Sequence, residues 1–210
     1  MKKLLIVIVV LAALAFGAYK IFFSGKADGA TNSIPKEKPL SISKNTPAFN
    51  TSFEKMLNAY FDLKAGLTDY DTAKADAAAR LLASSADELK VNEIKGDSTG
   101  AFKAMAGSYA GAISGSAKNL VGETDLVKKK RQFQTLSEAL YDLSRTVKYD
   151  RIKLFHQHCP MAFGDTEEGT WLSNSSDIVN PYLGKKHPKF KDKMLGCGDV
   201  TDSIDNTKQQ

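Results

Sequence analysis

The spacing of apolar residues between Phe53 and Val147 constrains the fold more than any other feature. In four successive segments, apolar side chains return every three or four positions, which is the spacing of one face of an α-helix. The segments begin near Phe53, Ala73, Phe102 and Leu126, and short turn-forming stretches separate them. The pattern therefore predicts a mainly α fold, an antiparallel four-helix bundle.

Local signals predict where two helices begin and what one of them exposes. Thr51 or Ser52 is the expected N-cap of the first helix, and the Asp-Ser-Thr stretch at 97–99 is expected to cap the third. The four basic residues at 128–131 are expected to form a solvated helix face.

The third helix carries glycines at intervals of four residues, Gly107, Gly111 and Gly115. This stripe indicates either close packing inside the bundle or a weak helix, because Gly is a poor helix former. Met56 on the first helix and Met105 on the third lie on the apolar faces, so both are expected to fill the core.

Beyond Tyr149 the helical spacing stops. A short extended segment at 152–155 is followed by many glycines and an Asn-Pro pair, which mark turns. We expect a small loop-rich C-terminal cap with short strands, laid against the bundle. The predicted folded domain covers residues 48–205, and residues 206–210 are a tail.

The N-terminus predicts export. Two lysines precede an apolar stretch, residues 4–23, that is long enough to span a bilayer. Residues 1–23 are therefore either an uncleaved signal anchor, which we favour, or a cleaved signal peptide. Residues 24–47 are rich in Pro, Gly and polar residues and are predicted to be a flexible linker. The remaining chain is expected outside the cytoplasm.

Charge argues against a nucleic-acid partner. The chain has a formal net charge of +5, but four of its 29 basic residues and none of its 24 acidic residues lie before residue 27. The rest is nearly balanced, whereas nucleic-acid-binding domains carry clustered positive charge.

Soft metal ligands cluster near the C-terminus. Cys159 and Met161 are two residues apart, and Met194 and Cys197 are three apart. Thiolate and thioether sulfur prefer soft ions such as Cu(I) and Ag(I), with imidazole as an acceptable companion. Two such short chelates are able to converge into a three- or four-coordinate site, completed by His158.

Other residues nearby are candidate accessory members of this site. His156 alternates with His158, so the two share a face if the segment is a strand. Trp171 either covers the site or anchors the cap on the bundle. Gly196 is expected to let the backbone bend between Met194 and Cys197.

A disulfide between Cys159 and Cys197 is the alternative, since two cysteines in an exported protein often pair. Zinc fits less well, because methionine is a poor zinc ligand. The sequence shows no catalytic Ser-His-Asp order, phosphate-binding glycine loop or His-Glu-x-x-His motif, so we expect a protein that is not an enzyme.

Several segments together resemble one family, a domain of unknown function in Gram-negative bacteria. Its members occur alone behind an N-terminal anchor or fused to periplasmic adaptor subunits of RND-type heavy-metal efflux pumps. The resemblance covers roughly residues 48–205 and rests on the segments 49–64, 136–141, 158–163, 171–173, 178–184 and 194–198.

The resemblance implies copper or silver handling in the periplasm. Residues 4–23 would then anchor the chain in the inner membrane, and a heavy-metal efflux pump or a copper chaperone would be the partner. The family's Cys-Pro-Met maps to residues 159–161, its Met-x-x-Cys to 194–197 and its preceding His to His158. Residues 185–191 look like an insertion, so His187 is a doubtful ligand.

Overall fold

A computed structural model describes residues 45–164 and 166–208. The predicted signal segment, residues 24–44 of the predicted linker, Asp165 and the last two residues lie outside this part. Within it, the chain forms four α-helices, one short 3-10 helix and three strands: α1 (Pro47–Asp69), α2 (Thr72–Asp87), the 3-10 helix (Val91–Glu93), α3 (Ala101–Leu120), α4 (Leu126–Thr146), β1 (Leu154–Cys159), β2 (Gly169–Ser173) and β3 (Asp199–Ile204). The predicted mainly helical fold with short C-terminal strands is confirmed.

Helix α1 begins before the predicted position. Thr46 is its N-cap and accepts a hydrogen bond from the backbone N–H of Phe49 at 3.2 Å, and Pro47 occupies the first helical position. A proline is tolerated there because that N–H has no partner inside the helix. The prediction of Thr51 or Ser52 as N-cap was wrong because this proline was assigned to the linker.

Small residues set the distance between α1 and α2. A Cβ added to Gly66 of α1 would lie 2.8 Å from the backbone nitrogen of Ala75, so only glycine permits this approach. The buried face of α2 is built largely from alanines, which lets its backbone come close to its neighbours. Side chains are larger between α1 and α4, where the rings of Tyr60 and Phe133 stack at 5.3 Å.

Helix α3 turns an unexpected face to the core. It buries Ala106, Ala110, Ile113, Ala117 and Leu120, among others. Met56 is fully buried as predicted, but Met105 is 44% exposed, so its assignment to the core was wrong. The three glycines of α3 are also exposed and meet no neighbouring atom, so they do not serve close packing within the domain. The buried side of α3 is therefore formed by small residues, chiefly alanine, together with Ile113 and Leu120.

The basic run at the start of α4 is partly internal. Lys129 is 1% exposed and Lys130 is 5% exposed, so the prediction of a solvated face was wrong for these two residues. Lys129 pairs with Asp76 of α2 and donates to the carbonyl oxygen of Leu120. Long-range partners made burial of a lysine tolerable, and they were not visible in the local pattern.

The three strands form an antiparallel sheet in the order β2-β1-β3. His156 and Gln157 interrupt the register between β1 and β3 with a bulge. The sheet is joined to the helices through Tyr60, whose hydroxyl accepts a hydrogen bond from the backbone N–H of Leu172 at 2.9 Å. This contact satisfies a backbone group on edge strand β2 that has no neighbouring strand on that side.

Candidate functional site

Two thiols from distant parts of the chain meet beside the sheet. Cys159 ends strand β1, and Cys197 lies in the turn that precedes strand β3. Their sulfur atoms are 3.1 Å apart, although the residues are separated by 38 positions, and both are free thiols. Cys159 is fully buried and Cys197 is half-buried. The fold therefore brings together the cysteines of both predicted chelates.

A buried asparagine holds the turn that carries Cys197. The side-chain amide of Asn180 donates to the carbonyl oxygen of Cys197 at 2.8 Å. Its backbone N–H donates to the carbonyl oxygen of Leu195, also at 2.8 Å. Its side-chain oxygen accepts from the backbone N–H groups of Tyr182 and Leu183. Asn180 thus ties two turns together and fixes the position of the second thiol.

Glycine at position 198 lets this turn lie against β1. Gly198 has a φ of +133°, and an added Cβ would lie 2.3 Å from the carbonyl oxygen of His158. Any other residue would push the turn, and Cys197 with it, away from Cys159. Gly196, which the sequence suggested as the flexible residue, lies outside the left-handed region and faces open space.

The local environment keeps Cys197 protonated. Burial, together with the adjacent sulfur of Cys159, raises the pKa of the Cys197 thiol to about 12. At neutral pH this residue is a thiol, so a metal ion that binds it must displace a proton.

The two methionines lie close to the cysteines in sequence, in the turns that follow Cys159 and precede Cys197. Met161 lies in the turn after β1, and Met194 lies in the turn before Cys197, whose backbone N–H donates to the Met194 carbonyl oxygen at 3.0 Å. Both methionines are half-buried and pack against the hydrophobic core that also contacts Cys197. Met161 also lines a surface cavity.

The histidines lie apart from the thiols. Adjacent residues of a strand point to opposite faces, so His158 and Cys159 diverge. The Nδ1 atom of His158 contacts Asp199 Oδ1 at 3.0 Å, and its Nε2 contacts Glu168 Oε2 at 3.1 Å. Because both ring nitrogens already contact carboxylates, His158 would have to give up one of these contacts to bind a metal ion.

His156 and Trp171 have other contacts. The ring of His156 stacks on Tyr141 at 4.2 Å, and its Nδ1 contacts the Thr201 hydroxyl at 2.8 Å. Burial lowers the pKa of His156. Trp171 is fully buried in β2, packs edge-on against Tyr182, and has an indole N–H without a hydrogen-bond partner among the described residues.

Two features are absent from the part of the chain that the structure describes. Residues 45–164 and 166–208 contain no group of three or more His, Cys, Asp or Glu side chains placed to hold a metal ion. In the same part of the chain, no helix combines the length and apolar character needed to cross a membrane.

Fold and site together define a class of protein, a helical domain with a small antiparallel sheet that carries a thiol pair at one end of its central strand. Residues 56–151 match the model of a family described as a protein of unknown function (DUF3347). This match covers the helices from within α1 onward and ends before strand β1, so the cysteines lie outside it. No curated protein and no solved structure matches the chain.

Proposed function

We propose that the protein binds a soft monovalent metal ion, Cu(I) or Ag(I), at Cys159 and Cys197, with Met161 and Met194 as thioether ligands. The observation that supports this most is the 3.1 Å approach of two thiols, one at the end of β1 and the other in a turn 38 residues later. Two thiols and neighbouring thioethers form a donor set for Cu(I) rather than for Mg²⁺ or Ca²⁺, which prefer oxygen. His158, His156 and Trp171 would be accessory at most.

The wider function follows from the sequence features around this site. We propose a periplasmic domain tethered to the inner membrane by residues 4–23, which lie outside the described residues. It would sequester the metal or deliver it to an efflux pump or a copper chaperone, without catalysing a reaction. The family resemblance noted for segments such as 158–163 and 194–198 motivates this proposal.

We also propose that the four helices form an antiparallel bundle. Consecutive helices contact one another, and the hydroxyl groups of Tyr60 on α1 and Ser137 on α4 lie 2.8 Å apart. These contacts support a closed ring of four helices, with the sheet attached beside α1 and α4.

A competition titration tests the proposed metal site. The reduced full chain is titrated with Cu(I) against a chelator of known affinity, and we expect one ion per chain with a dissociation constant below about 1 μM. Cys159→Ser or Cys197→Ser should abolish this binding. Replacing Met161 and Met194 together by Leu should weaken it by about tenfold or more, since it removes sulfur ligands and keeps apolar volume.

Met105→Leu is the matched control, because Met105 is an exposed methionine on α3, outside the site. Its affinity for Cu(I) should equal that of the unchanged protein. Binding no tighter than micromolar, or a double Met161/Met194 variant that behaves like the control, would overturn the proposal.

A disulfide between the same cysteines is the second candidate, favoured by the same closeness of the two sulfur atoms. It would make the domain a structural or protein-interaction module. In the chain-entropy model the cross-link would stabilise the fold by about 4 kcal/mol. Alkylation of protein isolated from the periplasm and unfolded in the presence of a Cu(I) chelator distinguishes the two, since two reactive thiols exclude the disulfide and two unreactive ones exclude the metal site in that state.

A further inference from the structure

A cavity of about 450 Å³ opens between the start of α4, the turn that follows β1 and the turn at 187–190. Its volume lies within the range of small-molecule sites in proteins. The rings of Tyr70, Phe163, Tyr182 and Phe190 line much of its wall. Flat apolar walls of this kind favour an aromatic or similarly compact apolar group.

Lys130 also lines the cavity, and its charge is incompletely compensated. The residue is 5% exposed, and its Nζ donates to the carbonyl oxygen of Tyr182 and lies 4.1 Å from the centre of the Tyr70 ring. No carboxylate among the described residues pairs with it, whereas the preceding Lys129 pairs with Asp76. Loss of hydration lowers the pKa of Lys130 to about 8. A buried ammonium without a counter-ion is costly, and an anion in the cavity would offset that cost.

Two further nitrogen bases of the cavity wall also favour an anionic ligand. These are His187 and Lys189, and the described lining residues include no Asp or Glu. The Nδ1 atom of His187 accepts hydrogen bonds from the backbone N–H groups of Lys189 and Phe190. The proton of the neutral ring therefore sits on Nε2, which is a donor. Burial and the nearby charges of Lys130 and Lys189 lower the pKa of His187.

We propose that this cavity binds a small aromatic carboxylate, whose ring packs among the four aromatic side chains and whose carboxylate pairs with Lys130. The assignment goes beyond the proposed metal site, because it requires neither Cys159 nor Cys197. It rests on three observations: the volume of the open cavity, the aromatic walls and the buried cation that lacks a partner acid among the described residues.

Calorimetric titration of the full chain with phenylacetate and with phenylacetamide tests the proposal. The two probes have nearly the same shape and differ in charge. We expect phenylacetate to bind once per chain and at least about tenfold more tightly than phenylacetamide, because a charge-assisted hydrogen bond is stronger than a neutral one. Binding should also shift the methyl resonance of Met161, which lines the cavity.

Two variants identify the groups responsible. Lys130→Met keeps the side-chain volume and should bind both probes equally, while Lys128→Met, on the exposed side of α4, should behave like the unchanged protein. Val127→Trp should block both probes, since Val127 is 53% exposed and lines the cavity. Leu81→Trp, at a position 56% exposed on α2, is its control.

Equal affinity of the two probes for the unchanged protein, or no binding of phenylacetate at about 10 mM, would overturn the proposal. So would a preference for phenylacetate that persists in Lys130→Met. If that variant does not fold, undiminished binding by Val127→Trp overturns the proposal instead. If phenylacetate binds neither the unchanged protein nor Val127→Trp, and the two proteins sediment differently, the substitution has changed the oligomeric state. The cavity would then be assigned to contact with a second copy of the chain.

Discussion

Tyr60 connects three elements of the fold through one hydroxyl group. The backbone N–H of Leu172 in β2 donates to it, and the hydroxyl lies 2.8 Å from Ser137 Oγ, which in turn donates to the carbonyl oxygen of Phe133 in α4. All of these groups are buried, and burial raises the pKa of Tyr60 well above its ordinary value. The chain of hydrogen bonds replaces the water that these polar groups would otherwise need.

Removing that hydroxyl should therefore destabilise the protein. Tyr60→Phe keeps the aromatic stacking with Phe133 but leaves the N–H of Leu172 without an acceptor in a buried position. We expect a loss of about 1–3 kcal/mol in the free energy of unfolding, measured by urea denaturation. Tyr109→Phe, on the half-buried side of α3, should cost much less. Equal losses in both variants would show that the hydrogen-bond chain adds no stability.

The lowered pKa of Lys64 predicts that the stability of the protein depends on pH. Burial lowers the pKa of this residue from 10.5 to about 8 in the folded protein, where its Nζ donates to the Ser173 hydroxyl. Between these two values the unfolded chain holds a proton that the folded protein has lost. The free energy of unfolding should therefore rise with pH from about 8 to about 10.5, and this contribution is constant below and above that interval.

The contribution of Lys64 is isolated by comparison with Lys64→Met. The stability of the unchanged protein relative to this variant should increase by up to about 3 kcal/mol across the interval, measured by urea denaturation at several pH values. A difference between the unchanged protein and Lys64→Met that stays flat with pH would contradict the assigned pKa.

The exposed glycines of helix α3 predict that alanine at these positions makes the protein more stable. The three glycines are exposed, and a Cβ at Gly107, Gly111 or Gly115 would meet no atom within 4 Å. Each Gly→Ala substitution should therefore stabilise the protein by about 0.5–1 kcal/mol, because alanine restricts the unfolded chain and favours the helix. Thermal or urea unfolding of the single variants measures this effect.

Gly66→Ala in α1 is the matched control and should be destabilising, since its Cβ would lie 2.8 Å from the Ala75 backbone nitrogen. If alanine at the α3 positions also destabilised the protein, the exposed side of α3 would have to be packed against another surface.

The sequence predicted the positions of the helices along the chain better than it predicted which face of each helix is buried. Spacing of large apolar residues located α1 and α4, whose faces bury aromatic and leucine side chains. The same reasoning placed Met105 in the core, because α3 buries alanines and a pattern of small residues carries little hydrophobic contrast. The start of α1 was missed because Pro47 is equally typical of a linker and of a first helical turn.

For the whole molecule, the features that escaped prediction depend on contacts between distant residues. Lys129 and Lys130 are buried because Asp76 and the carbonyl oxygen of Tyr182 reach them from other elements. The two cysteines were grouped by the spacing and chemistry of the ligands around them and by the family resemblance, but their approach depends on contacts of Asn180 and Gly198 that the sequence did not indicate. The position of His158 between two carboxylates likewise required the sheet register.

X-ray absorption spectroscopy of the Cu(I)-loaded full chain tests the proposed metal site most directly. The proposal predicts that the first coordination shell contains sulfur only, with contributions from Cys159, Cys197 and the flanking methionines. The number of sulfur neighbours should fall in the double Met161/Met194→Leu variant and stay unchanged in Met105→Leu. A first shell of nitrogen or oxygen, or a spectrum that Cys197→Ser leaves unchanged, would contradict the proposal.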